Sequence, residues 1–321
     1  NIAFAVNLFS SLCTALAAMF VCWITIILSK LALVRFSDDI ELGETIACAG
    51  AGLVAGLATA FSTSIWFSAV EGEVNAMSNF FTAMTFWAVI KWYNLPNERV
   101  HDKWLIFAVY SAGLSIGVHL LSLLTFPALA IFYYFKKFKN HSFIGVAGAA
   151  LSGALAIALI QKVIIVGIPA LWSKMELLTV NSFGLPIHSG IYPTIVIIAA
   201  ILFFMLRQAR RKRIAWLEQV TVALFLLVVS FSTFGMVVIR ANANTPINMN
   251  NPSDAMRLLP YLNREQYGER PLLRGPDFTA QPVSYDREDR YGRVGDRYEI
   301  VDQKVSYVYK DSDKILFPRI A

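Results

Sequence analysis

Cysteine is scarce, and its placement matters as much as its number. Cys13, Cys22 and Cys48 are the three cysteines among 321 residues. All lie inside apolar runs and none falls after residue 240, so no disulfide framework is available to the C-terminal part. Charge is thin as well: Asp, Glu, Lys and Arg make up 16% of the chain, below the level of a typical soluble domain. There is no Gly-rich phosphate loop, no pair of histidines at metal spacing and no Ser nucleophile elbow, which removes the common soluble-enzyme motifs. The chain begins at Asn1 and enters an apolar stretch without a basic n-region or a small-residue cleavage site. It resembles neither a natural start nor a signal peptide and reads as a piece of a longer polypeptide.

What is present is apolar. Hydrophobic residues make up 56%, aromatics 13%, and the mean hydropathy is +0.55, which places the chain among membrane proteins. Residues 1–240 hold repeated apolar runs of the length that crosses a ~30 Å hydrocarbon core as helix. About eight spans are predicted: Ile2 to Leu28, Thr45 to Ser68, Ala76 to Trp92, Trp104 to Gly117, Val118 to Phe135, Phe143 to Ile168, Ile191 to Leu206 and Trp216 to Val238. The hairpin from Trp104 to Phe135 is short for two full crossings, and tilted or re-entrant segments are the alternative there. The expected fold is an all-α polytopic bundle over 1–240, followed by a small, partly β soluble region over 241–321. The alternation of Val305, Tyr307 and Tyr309 carries the β expectation.

The net charge of +6 and the pI near 9.2 do not imply a nucleic-acid partner, because the surplus sits in loops between apolar runs. Lys91, Arg99 and Lys103 form one cluster, Lys136, Lys137 and Lys139 a second, and Arg207, Arg210, Arg211, Lys212 and Arg213 a third. The positive-inside rule puts all three in the cytoplasm. Strict alternation then places the Glu71 and Glu73 turn, His119, the loop expected from Trp172 to Gly190, and the tail on the outer face, periplasmic if the membrane is a bacterial inner membrane. In the tail, Asp286, Glu288, Asp289 and Asp296 alternate with Arg287, Arg290, Arg293 and Arg297, a salt-bridged surface more than a calcium site. Ala47 to Ala58 and Phe143 to Ile160 are rich in Gly and Ala, the composition of closely packed membrane helices.

Polar side chains in such a setting are costly and therefore informative. If helix resumes around Glu71, then Asn75 and Asn79 follow at i+4 and i+8 and form one polar stripe. Glu73 lies beside it, and the plainer alternative has both acids solvated at an interface turn. His119 has Ser115 at i−4 and Ser122 at i+3, and either bonds across helices or lines a site. Arg240 ends the last span, with Asn242 and Asn244 behind it. A cation there can hold a lipid phosphate or simply snorkel.

Three stretches resemble one family: Ser64 to Trp92 (SIWFSAVEGEVNAMSNFFTAMTFWAVIKW), Gly113 to Phe135 (GLSIGVHLLSLLTFPALAIFYYF), and Ile239 to Gly275 (IRANANTPINMNNPSDAMRLLPYLNREQYGERPLLRG). They are similar to large multispanning proteins common in Bacteroidota, long known as a domain of unknown function. That family is related to the eukaryotic transmembrane O-mannosyltransferase of plexin-type domains. The resemblance implies a GT-C type glycosyltransferase that moves a sugar such as mannose from a polyprenyl-phosphate donor to a protein acceptor on the extracytoplasmic face. The catalytic acid of such enzymes sits in the first outer loop, which the chain lacks together with the first helix. Glu71 and His119 are the candidate catalytic residues; Glu73, Asn75, Asn79, Arg240, Asn242 and Asn244 are candidates for substrate or lipid phosphate. No metal ligands are singled out; a divalent cation would be compatible with the chemistry. The expected partners are membrane lipid, a lipid-linked sugar and a protein acceptor. A secondary transporter and a non-catalytic lipid- or protein-binding subunit remain alternatives, although the two halves show no internal repeat.

Overall fold

Helices form wherever the apolar runs lie, because inside a bilayer every backbone N–H and C=O must be satisfied within the segment. The computed structural model describes residues 1–34, 40–243, 245–268, 271 and 273–318. In chain order the helices are α1 (Ile2–Leu33), α2 (Leu42–Ala60), α3 (Thr63–Val70), α4 (Val74–Asn94), α5 (Lys103–Val118), α6 (Thr125–Lys137), α7 (Phe143–Leu159), α8 (Gly167–Glu176), α9 (Ile191–Arg211), α10 (Ala215–Phe231), α11 (Gly235–Asn242) and α12 (Ala255–Leu262). Polar residues set several starts: the Asn1 side chain accepts from Ala3 N, and Ser142 from Gly145 N, as N-caps do.

Among the described residues, six helical runs are long and apolar enough to cross a membrane: Ile2–Leu33, Leu42–Ala60, Leu120–Lys137, Phe143–Ser182, Ile191–Arg211 and Ala215–Asn242. Their apolar side chains face outward, with Phe143 87% and Ile144 82% exposed, as expected where lipid is the solvent. The remaining expected spans are also helical. The helix α4 has 21 residues but is less apolar, and α5 has only 16.

The chain forms two compact units, Asn1–Gln161 with Leu202–Phe234, and Lys162–Ile201 with Gly235–Ala321. In the first, α1 packs on α2 and α4, α4 on α5, α5 on α10, and α6 on α7. Small residues permit this: a Cβ on Gly52 of α2 would lie 2.4 Å from Ile26 Cγ1, and one on Gly153 of α7 would lie 2.4 Å from Pro127 Cα. The small-residue stretches therefore serve close helix packing.

The three basic loops meet at one end of this unit. Asp102, 5% exposed, accepts from Trp92 Nε1 at 3.0 Å, Gln219 Nε2 at 2.5 Å and Lys137 Nζ at 3.3 Å. Arg99 and Arg210 both pair with Glu218. Lys136 donates to the carbonyls of Trp92 and Leu95. Clustering of the three loops agrees with the shared side that charge assigned them.

Two expectations are corrected. The span expected over Thr45 to Ser68 ends at Ala60, and a separate short helix, α3, follows. The loop expected from Trp172 is helical to Ser182, because α7, a π-helical stretch Ile160–Val166, α8 and a second π-helical stretch Leu177–Ser182 form one 40-residue run. At 1.5 Å per residue that is ~60 Å, twice the hydrocarbon thickness. Its second half is apolar because it builds a protein core: Ile164, Ile165 and Trp172 are all buried in the second unit. Pro169, which cannot donate to a preceding carbonyl, lies just beyond the first wide-turn stretch.

In the second unit α8 packs on α12, and β3 packs on Leu177–Ser182. Two antiparallel pairs complete it. β1 (Arg274–Pro276) pairs with β4 (Lys314–Leu316), and β2 (Ser284–Val294) with β3 (Arg297–Val308), with a bulge at Arg290/Tyr291. The expected strand around Val305 and Tyr307 is thus the second arm of a hairpin. Membership in the units does not follow the boundary at residue 240, since residues 162–201 group with the tail.

Candidate functional site

The first unit carries its polar candidates at the end opposite the basic loops. Glu71 is not helical: it is the C-cap of α3 in extended backbone, and helix resumes only at Val74, with Glu73 as N-cap. The stripe expected to begin at Glu71 is therefore shorter. Asn75 and Asn79 share a face of α4, while Glu71 stands apart on the turn. That turn rests on α1, where Ser11 Oγ donates to Ala69 O at 2.6 Å. Glu71 and Glu73 are exposed, and Asn75 Nδ2 donates to Glu73 Oε1 at 2.6 Å. The Glu71 carboxylate has no side-chain partner among the described residues.

His119 closes α5 and opens a 3-10 turn, Leu120–Leu124. Its Nδ1 accepts from Leu121 N at 3.2 Å, which assigns the neutral ring's proton to Nε2. That Nε2–H is a donor with no described partner. The two serines expected on its face do come together, but with each other: Ser115 Oγ and Ser122 Oγ are 2.5 Å apart, and Ser122 Oγ is 3.2 Å from Ser78 Oγ on α4. All three serines are buried. The chain of hydroxyls joins the first turns of α4, which carry Asn75 and Asn79, to the turn that carries His119. Helix-to-helix bonding by serine thus brings two predicted site segments into register, while the histidine stays available. Among the described residues no three His, Cys, Asp or Glu side chains converge as a cation site requires.

Arg240 and Asn242 belong to the second unit. Arg240 is exposed in the last turn of α11 and has no described side-chain partner. Asn242 is committed to structure: its Nδ2 donates to Val238 O at 2.9 Å and to Ser253 O at 2.7 Å, fastening the chain that leaves the helix. Asn244 lies outside the described residues. Asp254, 4% exposed, caps α12 by accepting from Met256 N and Arg257 N.

The most heavily bonded polar group of this unit, Glu176, was missed from sequence. It is 0% exposed and accepts from Gly190 N at 2.9 Å, Trp172 Nε1 at 3.2 Å, Tyr298 Oη at 3.3 Å and His188 N. Its carboxylate thus occupies the N-terminal end of α9, where free backbone donors favour an anion. Gly190 is required there, because a Cβ would lie 2.3 Å from Glu176 N. The hairpin is tied to the same helical run by a reciprocal pair, Asn181 Nδ2 to Tyr298 O at 2.8 Å and Tyr298 N to Asn181 Oδ1 at 3.0 Å. Burial first, then the charges of Asp254 and Glu176, push the Tyr298 phenol well above its ordinary range, so it stays a donor. One signal was available in sequence: Glu176 and Trp172 are an i, i+4 pair, with Gly190 just before a helix.

Residues 1–142 match the family model described as the protein O-mannosyl-transferase TMEM260 N-terminal domain, and residues 268–321 match a family of unknown function, DUF8416. The first match contains Glu71, Glu73, Asn75, Asn79 and His119, and it supports the relationship to an O-mannosyltransferase family that two of the three sequence stretches suggested. Most of the third stretch lies outside both matches. No curated protein and no solved structure matches the chain.

Proposed function

We propose that this protein is a membrane glycosyltransferase of the GT-C type, which moves a sugar, mannose in the simplest case, from a polyprenyl-phosphate carrier to a protein acceptor outside the cytoplasm. The observation that carries the reading is the match of residues 1–142 to the O-mannosyl-transferase N-terminal domain, a stretch that includes the polar end of the first unit. In the reaction, the acceptor hydroxyl oxygen bonds to the anomeric carbon as the bond from that carbon to the carrier phosphate breaks. The phosphate leaves with the electron pair, and the hydroxyl proton passes to a carboxylate base.

The polar groups suit the ground around such a step. The unpartnered Glu71 carboxylate accepts from sugar hydroxyls, and the Asn79 amide offers a donor and an acceptor. The His119 Nε2–H donates to a sugar or phosphate oxygen, an interaction that strengthens as charge develops. In the second unit, Arg240 supplies a cation at the end of an apolar helix, suited to a carrier phosphate at a membrane boundary. Asn242, held by two carbonyls, stabilises the turn.

The test is sugar transfer by the protein in proteoliposomes, comparing wild type with Glu71→Gln and His119→Ala. Loss of one hydrogen bond to a charged group, ~1.5–3 kcal/mol, lowers the rate roughly 10- to 160-fold. Transfer at the wild-type rate by both variants would remove these residues from the site.

A further inference from the structure

At the basic end of the first unit, α1 and α4 flank a cleft of about 330 Å³, lined by Trp23, Ile26, Ile27, Trp87, Lys91, Asn94 and Leu95. Helical spacing explains the lining: Trp23, Ile26 and Ile27 recur along one face of α1, and Trp87, Lys91 and Asn94 along one face of α4. The walls are aromatic, with Trp23 and Trp87 ring centroids 5.7 Å apart and Trp87 5.2 Å from Phe20. Trp23 remains 41% exposed, so the cleft opens outward from the unit.

Its charge is unbalanced. Arg99 and Arg210 share Glu218, Lys137 reaches Asp102, and Lys136 is held by carbonyls. Lys91 has none of these. Its Nζ lies 3.9 Å from the Trp104 ring centroid and 4.9 Å from that of Trp87, and it has no acidic partner among the described residues. Lys30 stands one turn beyond Ile26 and Ile27 on the same face of α1, likewise without a described acidic partner. Among the described residues no carboxylate lines the cleft. A cation resting on aromatic faces holds only a weak interaction, which an anion's oxygen readily replaces.

We propose that this cleft binds an anionic glycerophospholipid of the surrounding bilayer. Lys91 and Asn94 hold its phosphate, Lys30 adds a second positive charge, and the upper part of one acyl chain lies against Trp23, Ile26, Ile27 and Trp87. Charge complementarity selects an anionic headgroup over a zwitterionic one, and the apolar walls select a lipid over free phosphate. The volume, at the small end of ligand sites, admits part of one chain. Thirteen residues of α4 separate Ser78 from Lys91, ~20 Å of helix, so this lipid is distinct from a donor at the His119 end. The proposal does not depend on the transferase reading.

The experiment titrates purified protein with phosphatidylglycerol carrying brominated acyl chains, and reads quenching of tryptophan fluorescence. Phosphatidylcholine with the same chains and inorganic phosphate serve as comparisons. Lys91→Ala should weaken the saturable phosphatidylglycerol quenching about fivefold and Lys30→Ala with Lys91→Ala about 30-fold, from the usual strength of one basic residue at an anionic surface. Lys91→Arg should restore most of it, and Lys103→Ala, an exposed base at the same end, should leave it unchanged. Equal quenching by phosphatidylcholine, an unaffected double variant, or a photo-crosslinker at position 23 that traps polypeptide instead of lipid would each overturn the assignment.

Discussion

Replacing Glu176 with glutamine keeps the shape of the side chain and removes its capacity to accept at both ends. In the native arrangement its oxygens receive two backbone N–H groups, one indole N–H and one phenol. A glutamine amide must turn its NH2 toward one of the N–H donors, leaving at least one charged hydrogen bond broken in a site that excludes water. Such a bond is worth ~1.5–3 kcal/mol, and an orphaned buried donor adds to the loss. If opening of the β2 and β3 hairpin from the helical run governs its cleavage, Glu176→Gln raises the open population about 10- to 160-fold. Trypsin reports this directly, because Arg287, Arg290, Arg293 and Arg297 lie in the hairpin. Timed digestion in detergent should show the C-terminal fragment appearing faster by that factor, while cleavage at the Arg207 to Arg213 cluster is unchanged. Equal hairpin cleavage in the variant and the wild type would refute the view that Glu176 holds this unit together.

Gly190→Ala should be at least as damaging, by ~2–3 kcal/mol, because its Cβ collides with the backbone of Glu176 and neither chain can yield cheaply. Gly148→Ala, which meets nothing within 4 Å, should be neutral or stabilising by up to ~1 kcal/mol in thermal unfolding. The raised phenol of Tyr298 makes a contribution that is complete below the unfolded value near 10 and is lost as pH rises above it, by up to ~1.4 kcal/mol per pH unit. Hairpin cleavage should therefore accelerate above about pH 10, and Tyr298→Phe should flatten that part of the slope. Asp102→Ala should lower the stability of the first unit by about 3 kcal/mol, because it strands the donors of Trp92 and Gln219 and takes the ion pair from Lys137, which keeps Asn97 Oδ1; an unchanged melting temperature would contradict the network.

The helices were legible because lipid imposes one requirement on every span, and long runs such as Ile2–Leu33 satisfy it visibly. Positive charge grouped the loops equally well, since repulsive-looking clusters around Lys91, Lys136 and Arg210 meet at one end through Asp102 and Glu218. Hydropathy stopped short at Ile168: Trp172 to Ser182 reads as a loop because Ser173, Lys174, Glu176 and Asn181 interrupt the apolar run, yet it continues as helix because Trp172 and Glu176 are buried in a protein core, where polar groups find partners. Glu71 slipped out of its expected stripe because Gly72 and the extended residues around it interrupt the helix, a local choice that i+4 counting cannot register. Glu176 showed in sequence only as an i, i+4 neighbour of Trp172, for a different reason. Its partners at residues 188, 190 and 298 are distant in sequence, and two of them offer only backbone N–H groups.

The most direct test of the transferase account is transfer of radiolabelled sugar from a polyprenyl-phosphate donor to protein, by this protein expressed from its natural reading frame and reconstituted in proteoliposomes. The account predicts label on protein that depends on the polyprenyl-phosphate donor and falls at least tenfold in His119→Ala. Absence of transfer across a panel of polyprenyl-phosphate sugars, with the protein folded by the digestion assay, would contradict it.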